Sequence, residues 1–483
     1  MYKLFILLVL ITSFNVQETM ASKPLIISEK MLLNTESPIL KLYRIDQLNS
    51  EISLSEFEGN FSPNVDFSFY HKTDKQKALS SNGFDKAPSP IHQKELSISK
   101  PFMFGANLKF KLYQSEITNP FITDSAATGA GLELALDLIN GLWKQTAKNS
   151  YKMQQTNVKL QKSIKSYKTY LLKNNIRKIY WNLVANDLSL KVLEELLKNS
   201  KKTVETIAKR YRASIADKGD LSRVKAQVKS TEALIISYTY QKEQLIKNLK
   251  EFLKGDIENN NLALAPYRIN HTINQIKACT TNIAINGLNY NNSLLQEQSN
   301  FIKELNTLKQ KIDHTYGDVD VKLIGTFDKI GKGIGMSNSN SDLTSDGQNA
   351  YSIGLSVSVP LGSSKTEDLK VKMNKLQSQS LIQKNFLKMK SFHNQTVRMI
   401  TLLNQAISNQ IEQNKLLNVS LKSSKRKYKQ ARLTIEQLIG EENNLLQSDL
   451  NIIQTKLNVV LTLLDYFSVF NKTKCNFNKI TNI

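Results

Sequence analysis

Cysteine is scarce in this chain: two residues in 483, Cys279 and Cys475. They are far apart and in no metal-ligand spacing, which excludes a disulfide-rich scaffold and a structural zinc site, while leaving open a single pair in an oxidising compartment. Long apolar runs are missing as well. Beyond residue 21 no stretch approaches about eighteen consecutive apolar residues, so insertion by spanning helices is excluded and only alternating strands can enter a bilayer. No proline- or glycine-rich linker divides the chain into compact pieces. Acidic charge is in deficit, with 65 Lys+Arg against 42 Asp+Glu and a formal charge of +23. The lysines are spread along helical segments, as in Lys198, Lys201, Lys202, Lys209 and Lys218, and form neither a patch nor a recognisable module, so nucleic acid is not an expected partner. Convergent polar groups are lacking too: the five histidines, His71, His92, His271, His314 and His393, stand singly among loops and helices. Gly331-Lys-Gly-Ile-Gly335 has neither the Gly-Lys-Ser/Thr ending nor a following helix of a phosphate loop, and reads as a hairpin tip. No enzyme, cofactor or metal site is expected.

What is present begins with residues 1–21, where Lys3, the apolar run Leu4–Ile11 and Thr19-Met20-Ala21 read as a secretory signal peptide. Near the middle of the second half stands Tyr351-Ser-Ile-Gly-Leu-Ser-Val-Ser-Val-Pro360. Tyr351, Ile353, Leu355, Val357 and Val359 take one face, and Ser352, Gly354, Ser356 and Ser358 the other. A strand with a wholly apolar face and a small, polar face suits a barrel wall with lipid on one side and water on the other, at close to the roughly 9–11 residues a tilted strand needs to span. Pro360 ends the ladder.

The same alternation occurs at Gly131–Leu138, and a long helical pattern follows both strands, so one unit, strand into long helix, is used twice. In the first half Leu160, Ile164, Tyr167 and Leu171 open a helix expected over about 144–214. Gly219-Asp220-Leu221-Ser222 breaks it, and a second helix returns through Val224, Val228 and Ile235. In the second half Ala431-Arg432-Leu433-Thr434 takes the place of that turn, which implies about eleven more residues in the first half. The last helix steps Leu446, Leu450, Ile453, Leu457, Val460, Leu464, Phe467 at alternate fours and threes, a coiled-coil seam. Leu96, Ile98, Leu108, Phe110 and Leu112 add a hairpin that the second half lacks, and it either extends the wall or covers it. The expected organisation is a signal peptide at 1–21 and a first repeat at 22–254, with strands over about 65–138 and a helical hairpin over about 144–253. A linker or equatorial region follows at 255–292, then a second repeat at 293–470 with strands over about 318–360 and a hairpin over about 364–470, and a tail at 471–483.

Strand pair, long helical hairpin, linker and the same again, behind a signal peptide, closely resembles the TolC family of outer-membrane efflux proteins. The residues that carry the resemblance are Leu355-Ser-Val-Ser-Val-Pro-Leu-Gly362, Arg210-Tyr-Arg-Ala-Ser followed by Gly219-Asp-Leu-Ser, and Lys427-Tyr-Lys-Gln-Ala-Arg-Leu-Thr-Ile-Glu leading into Glu441-Glu-Asn-Asn-Leu445. The resemblance implies a mixed α and β membrane fold: a homotrimer whose chains each give four strands to one twelve-stranded transmembrane β-barrel in outer-membrane lipid and helices to one α-helical coiled-coil barrel in the periplasm. It implies a passive export duct of a tripartite efflux or type I secretion system, with a periplasmic adaptor protein and an inner-membrane transporter as partners. The helix turns at Gly219, Asp220, Leu221, Ser222 and at Ala431, Arg432, Leu433, Thr434 are then the adaptor-docking candidates. Glu436, Glu441 and Glu442 are the candidates for the periplasmic constriction, shifted from the family's aspartate positions, which hold Gln437 and Gly440 here. The other reading of these acids is a solvated helix face. Two alternatives to the duct are a secreted periplasmic coiled-coil scaffold without a barrel, which leaves the apolar strand faces unexplained, and an autonomous porin, which leaves the helices unexplained.

Overall fold

A computed structural model describes residues 24–74, 89–117, 126–214, 216–253, 262–313, 319–359 and 365–471. The expected signal peptide, Pro360 to Gly362, His314 and Cys475 lie outside these residues. In chain order the elements are β1 (Leu25–Ile27), α1 (Glu29–Asn34), α2 (Ile39–Gly59), β2 (Asn64–Asp74), β3 (Ser89–Pro101), β4 (Ala106–Ile117) and β5 (Ala126–Asp137). A π-helical turn, Leu138–Trp143, leads into α3 (Thr146–Arg212) and α4 (Lys218–Phe252). Then come β6 (Leu262–Leu264), α5 (Ile269–Asn286), α6 (Leu294–Asp313), β7 (Asp320–Gly333), α7 (Gly335–Ser345), β8 (Gln348–Ser358), α8 (Lys365–Lys429) and α9 (Ile435–Val469). The chain divides into two units, each assembled from separate segments: Ile45–Lys165 with Glu297–Asn385, and the described residues of Met1–Arg44, Ser166–Gln296 and Phe386–Ile483.

The first of these is the strand unit. Its sheet has six strands in the order β2-β3-β4-β5-β7-β8, each antiparallel to its neighbours. The hairpin β3–β4 therefore lies within the sheet, and the chain supplies six strands where four were expected. Its alternation explains why: Leu96 is in register with Phe67 on one side and Leu112 on the other, and Ile98 with Val65 and Phe110, so its apolar residues continue the rows of their neighbours. At the β7–β8 connection, Gly331–Gly335 was expected to form a hairpin tip. Instead β7 runs to Gly333 and a helix, α7, follows at once. Its stretch Met336-Ser-Asn-Ser-Asn-Ser-Asp-Leu343 has no amphipathic period, and tertiary contacts hold it. Thr128 and Ser339 share a hydroxyl hydrogen bond of 2.8 Å, Gln114 Nε2 donates to Asn340 Oδ1 at 3.4 Å, and Asp342 Oδ2 accepts from Lys332 N at 2.8 Å. Gly331 permits this seating, since a Cβ there would lie 2.2 Å from Leu343 N. The Gly331–Gly335 stretch is thus strand entering helix, with Gly331 paired to Thr128 and Gly333 to Ala126, and offers no phosphate-binding loop.

The helical unit has one main core. Leu172, Ile176, Tyr180 and Val184 of α3 meet Leu249 and Leu253 at the end of α4, Met389 and Ile400 of α8, and Val460, Leu464 and Phe467 of α9. Side chains of this size contribute roughly 1.5–3 kcal/mol each when fully buried. Residues 255–292, expected to be a linker or equatorial region, include β6, which pairs parallel with β1, and the whole of α5. Ile269, Ile273, Ile276 and Ile283 bury into the core at helical spacing, so α5 is a packed element. Cys279 on α5 is buried. In α9 the expected seam is buried from Leu457 onward, and a second stripe, Ile452, Val459, Leu463 and Tyr466, is buried beside it. Among the described helices α9 alone is long and apolar enough to cross a membrane, and more than half of that stretch is buried inside the protein, as in a core helix.

Candidate functional site

Two regions carry the functional expectations, one in each unit. In the strand unit, the alternation of all six strands falls in phase. Val65, Phe67 and Phe69 of β2, Leu96 and Ile98 of β3, Leu108, Phe110 and Leu112 of β4, Leu132 and Leu134 of β5, Phe327 of β7, and Tyr351, Ile353, Leu355 and Val357 of β8 form one continuous apolar face, all of them exposed. The opposite face is polar. There Lys109 Nζ stands 3.1 Å from Glu95 Oε1, Lys111 Nζ stands 3.1 Å from Asp328 Oδ1, Lys322 pairs with Asp320, and the hydroxyls of Thr326 and Ser352 are 2.7 Å apart. Water covers the second face well and the first badly; a sheet of this kind fits a lipid boundary. At one corner His71 Nδ1 lies 3.2 Å from His92 Nδ1 across β2 and β3, so these two histidines are not solitary. In the helical unit His393 Nδ1 lies 3.0 Å from Tyr466 Oη. No group of three His, Cys, Asp or Glu side chains able to hold a metal ion occurs among the described residues.

In the helical unit, the two turns between long helices come together. Ile207 and Val224, flanking the first turn, share a small core with Leu421, Ile435 and Leu438, flanking the second. Arg210 stacks its guanidinium 5.0 Å from the centre of the Tyr428 ring and donates from Nη2 to Lys429 O at 3.4 Å. Of the docking candidates, Leu221 and Leu433 pack at this core. The remaining ones are on its rim. Lys209, Arg212, Lys218, Arg223, Arg426, Lys427, Lys429 and Arg432 are exposed around them, so the turns are strongly basic.

The local chemistry of the turns differs from expectation. Gly219 was expected to break the helix, but it lies inside the first turn of α4, and the left-handed residues at the turns are Ser214 at φ 58° and Ala431 at φ 57°. Asp217 is the N-cap of α4, its Oδ1 accepting from Asp220 N at 2.6 Å. A Cβ on residue 219 would lie 3.0 Å from that capping oxygen. Thr434 is the N-cap of α9 in a full capping box with Gln437. The two caps, Asp217 and Thr434, are 217 residues apart, as are Ser214 and Ala431 and the helix ends Arg212 and Lys429. Ala431–Thr434 therefore corresponds to Ser214–Asp217, not to Gly219–Ser222. Against the strand spacing of 223 between Gly131 and Gly354, the first half is longer by six residues rather than eleven. The pattern Thr-x-x-Gln at 434–437 was a visible cap signature; the aspartate cap at 217 had no such partner to mark it.

The left-handed residues make a direct prediction. A non-glycine residue in that conformation costs about 1–2 kcal/mol, and both sites are exposed, so glycine loses no packing there. Ala431→Gly is expected to raise the stability of the protein by about 1 kcal/mol, and Ser214→Gly by a similar amount, each read as a higher urea midpoint. An unchanged or lower midpoint in both variants would count against the strain.

The constriction candidates lie on α9 in different settings. Glu442 is 5% exposed, with Oε1 3.1 Å from Lys425 Nζ of α8. Glu441 Oε2 accepts from Ser420 Oγ at 2.8 Å, and Glu436 is exposed in the first helical turn.

No family model and no curated relative matches this sequence. Solved structures do. The outer membrane protein VceC of Vibrio cholerae matches with a TM-score of 0.64 at 12% identity, over 91% of this chain and 96% of its own. The fold of this chain is that of the outer-membrane channels. The CmeC outer membrane channel of Campylobacter jejuni gives 0.62 at 14% identity over 94% and 88% of the two chains, and the open MtrE outer membrane channel of Neisseria gonorrhoeae gives 0.59 at 12% over 93% and 89%. The channel fold is the one implied by the resemblance to the TolC family, and its coverage leaves no large part of the chain unaccounted for.

Proposed function

We propose that the protein is the outer-membrane channel of a tripartite efflux or type I secretion system: a homotrimer that conducts cargo passively from the periplasm to the exterior. The observation that carries this reading is the sheet with one largely apolar face, one charged face and, among the described residues, two unpaired edges, in a chain that otherwise has the channel fold. Lipid cannot satisfy open strand edges, so the wall must be closed by further copies. The strands then form the wall in the outer membrane, and the helical hairpins form the tunnel in the periplasm. Energy comes from an inner-membrane transporter.

The paired turns at 214–222 and 431–434 are the docking site for a periplasmic adaptor. Their cations call for a partner that presents acidic groups, with binding weakened by salt. Of the three acids, Glu436 and Glu441 are the ones proposed to border the tunnel at its closed end, while Glu442 holds α9 to α8 through Lys425. The test is conductance in a planar bilayer of the detergent-extracted protein, with its mass measured alongside. A three-chain particle with a small conductance is expected, and Glu436→Lys combined with Glu441→Lys should shift its ion selectivity away from cations. A soluble particle without conductance would instead support the periplasmic scaffold, and unchanged selectivity in the double variant would remove both acids from the constriction.

A further inference from the structure

The extra hairpin sets the size of the wall. We infer that β8 of one copy pairs with β2 of the next, so that a three-chain ring has eighteen strands, six from each copy, and a pore about one and a half times as wide as a twelve-stranded wall would give. This rests on the reading of the protein as a closed membrane ring. The partner on each edge is a second copy of this chain, and the sheet itself says so in three ways.

First, the geometry closes. All five pairings are antiparallel and the strand number is even, so β2 and β8 run in opposite directions. Rotated copies then meet β8 to β2 in an antiparallel ladder, the pattern of the rest of the sheet; an odd number would place parallel strands at each junction. Secondly, the edges match in length and face. Both are 11 residues long, and both carry apolar residues at alternate positions on the same side of the sheet. Thirdly, β8 carries none of the usual edge protection, and the charged residues of β2 are only Asp66, which falls on the polar face, and Lys72 and Asp74 at one end of the strand. β8 has no charged residue and no proline, and β2 has no proline. Their apolar side chains are also the barest of the face: Ile353 on β8 is 82% exposed, where Phe110 on the interior strand β4 is 41% exposed. The hairpin β3–β4 cannot be an ornament outside the wall, because β2 is joined to β5 only through it.

Disulfide trapping tests the junction in the full-length protein, with the wild type as background for its own cysteines. Leu355→Cys is combined in turn with Val65→Cys, Phe67→Cys and Phe69→Cys on β2. Within one chain the two edges are separated by four strands, roughly 24 Å at the usual strand spacing, so any bond joins two copies. At least one combination is expected to convert most of the protein to covalent two- and three-chain species on a denaturing, non-reducing gel, which collapse on reduction. A twelve-stranded wall, with β2 and β3 folded away, would place β4 at the edge. Leu355→Cys with Leu108→Cys, Phe110→Cys or Leu112→Cys would then trap instead, and that result overturns the inference. So does a three-chain, conducting particle in which neither set traps. A particle that is neither three-chain nor conducting would defeat the channel reading itself, which the mass and conductance of the wild type decide separately.

Discussion

Leu355→Arg is expected to abolish insertion into the outer membrane, while Ser356→Arg, one residue further on, leaves the protein inserted and changes its conductance. Leu355 is in register with Leu323 on the apolar face, among Ile353, Val357 and Tyr351; Ser356 is in register with Lys322 on the polar face. Period-two geometry makes these neighbours opposites. An arginine facing lipid near the midplane of a barrel costs roughly 2–4 kcal/mol. In the proposed ring every copy carries the change, so the penalty falls on each junction. Facing the interior, the same arginine joins water and existing charges such as Asp320 and Asp328, and alters ion selectivity only. The measurement is the amount of each variant in outer-membrane fractions, with Leu355→Met as the control for altered packing. Equal amounts of Leu355→Arg and Ser356→Arg would mean that the apolar face does not meet lipid.

That pair of residues also marks where sequence alone suffices. Tyr351 to Val359 alternates without a break, and a period-two pattern of that length has one physical solution, so β8 and its two faces were legible at once. The helical hairpins were equally plain from their stripes. Pairing order was not: nothing local says that β5 lies between β4 and β7, because the partners are more than 180 residues apart for β5 and β7 and are chosen by matching rows across the sheet. Hence the hairpin at Leu96 to Leu112 was visible as strands but its place was undetermined. α7 failed for a different reason. Serine and asparagine favour turns and caps, and its helix exists because Gly331 and Thr128 give it a surface to lie on. α5 was hidden by its surroundings: Pro266 and the asparagine-rich 259–261 suggest a linker, and the apolar spacing of Ile269, Ile273, Ile276 and Ile283 was outweighed by them. At the turns, the eye is drawn to Gly219, yet Ser214 takes the left-handed position and Asp217 takes the cap. The candidate turns were located to within a few residues, and the tertiary fact that they share one core with Arg210 over Tyr428 was beyond any local pattern.

The largest stability effect is expected at Arg177. Its guanidinium Nε donates to Glu29 Oε1 at 2.9 Å with both side chains buried, at 5% and 8% exposure. Nη1 also donates to Asn174 Oδ1 at 3.3 Å, and Asn174 Nδ2 donates to Leu464 O at 3.2 Å, so one buried network ties α1, α3 and α9 together. An ion pair in this position need not be worth much against two apolar residues, since both charges were taken out of water to form it. Breaking it is another matter. Arg177→Met takes the Arg177 cation away from the buried carboxylate of Glu29, and breaking a buried pair from one side costs about 3–5 kcal/mol. Neutralising the partner as well, in Glu29→Gln with Arg177→Met, removes the buried charge and should restore most of that loss. Trp181, 3% exposed on the next turn of α3, reports the transition through its fluorescence. A single variant within about 0.5 kcal/mol of the wild type would show that the network is not holding the helices. A double variant no better than the single would assign the loss to packing of the arginine stem instead, because only the charge is relieved by the glutamine.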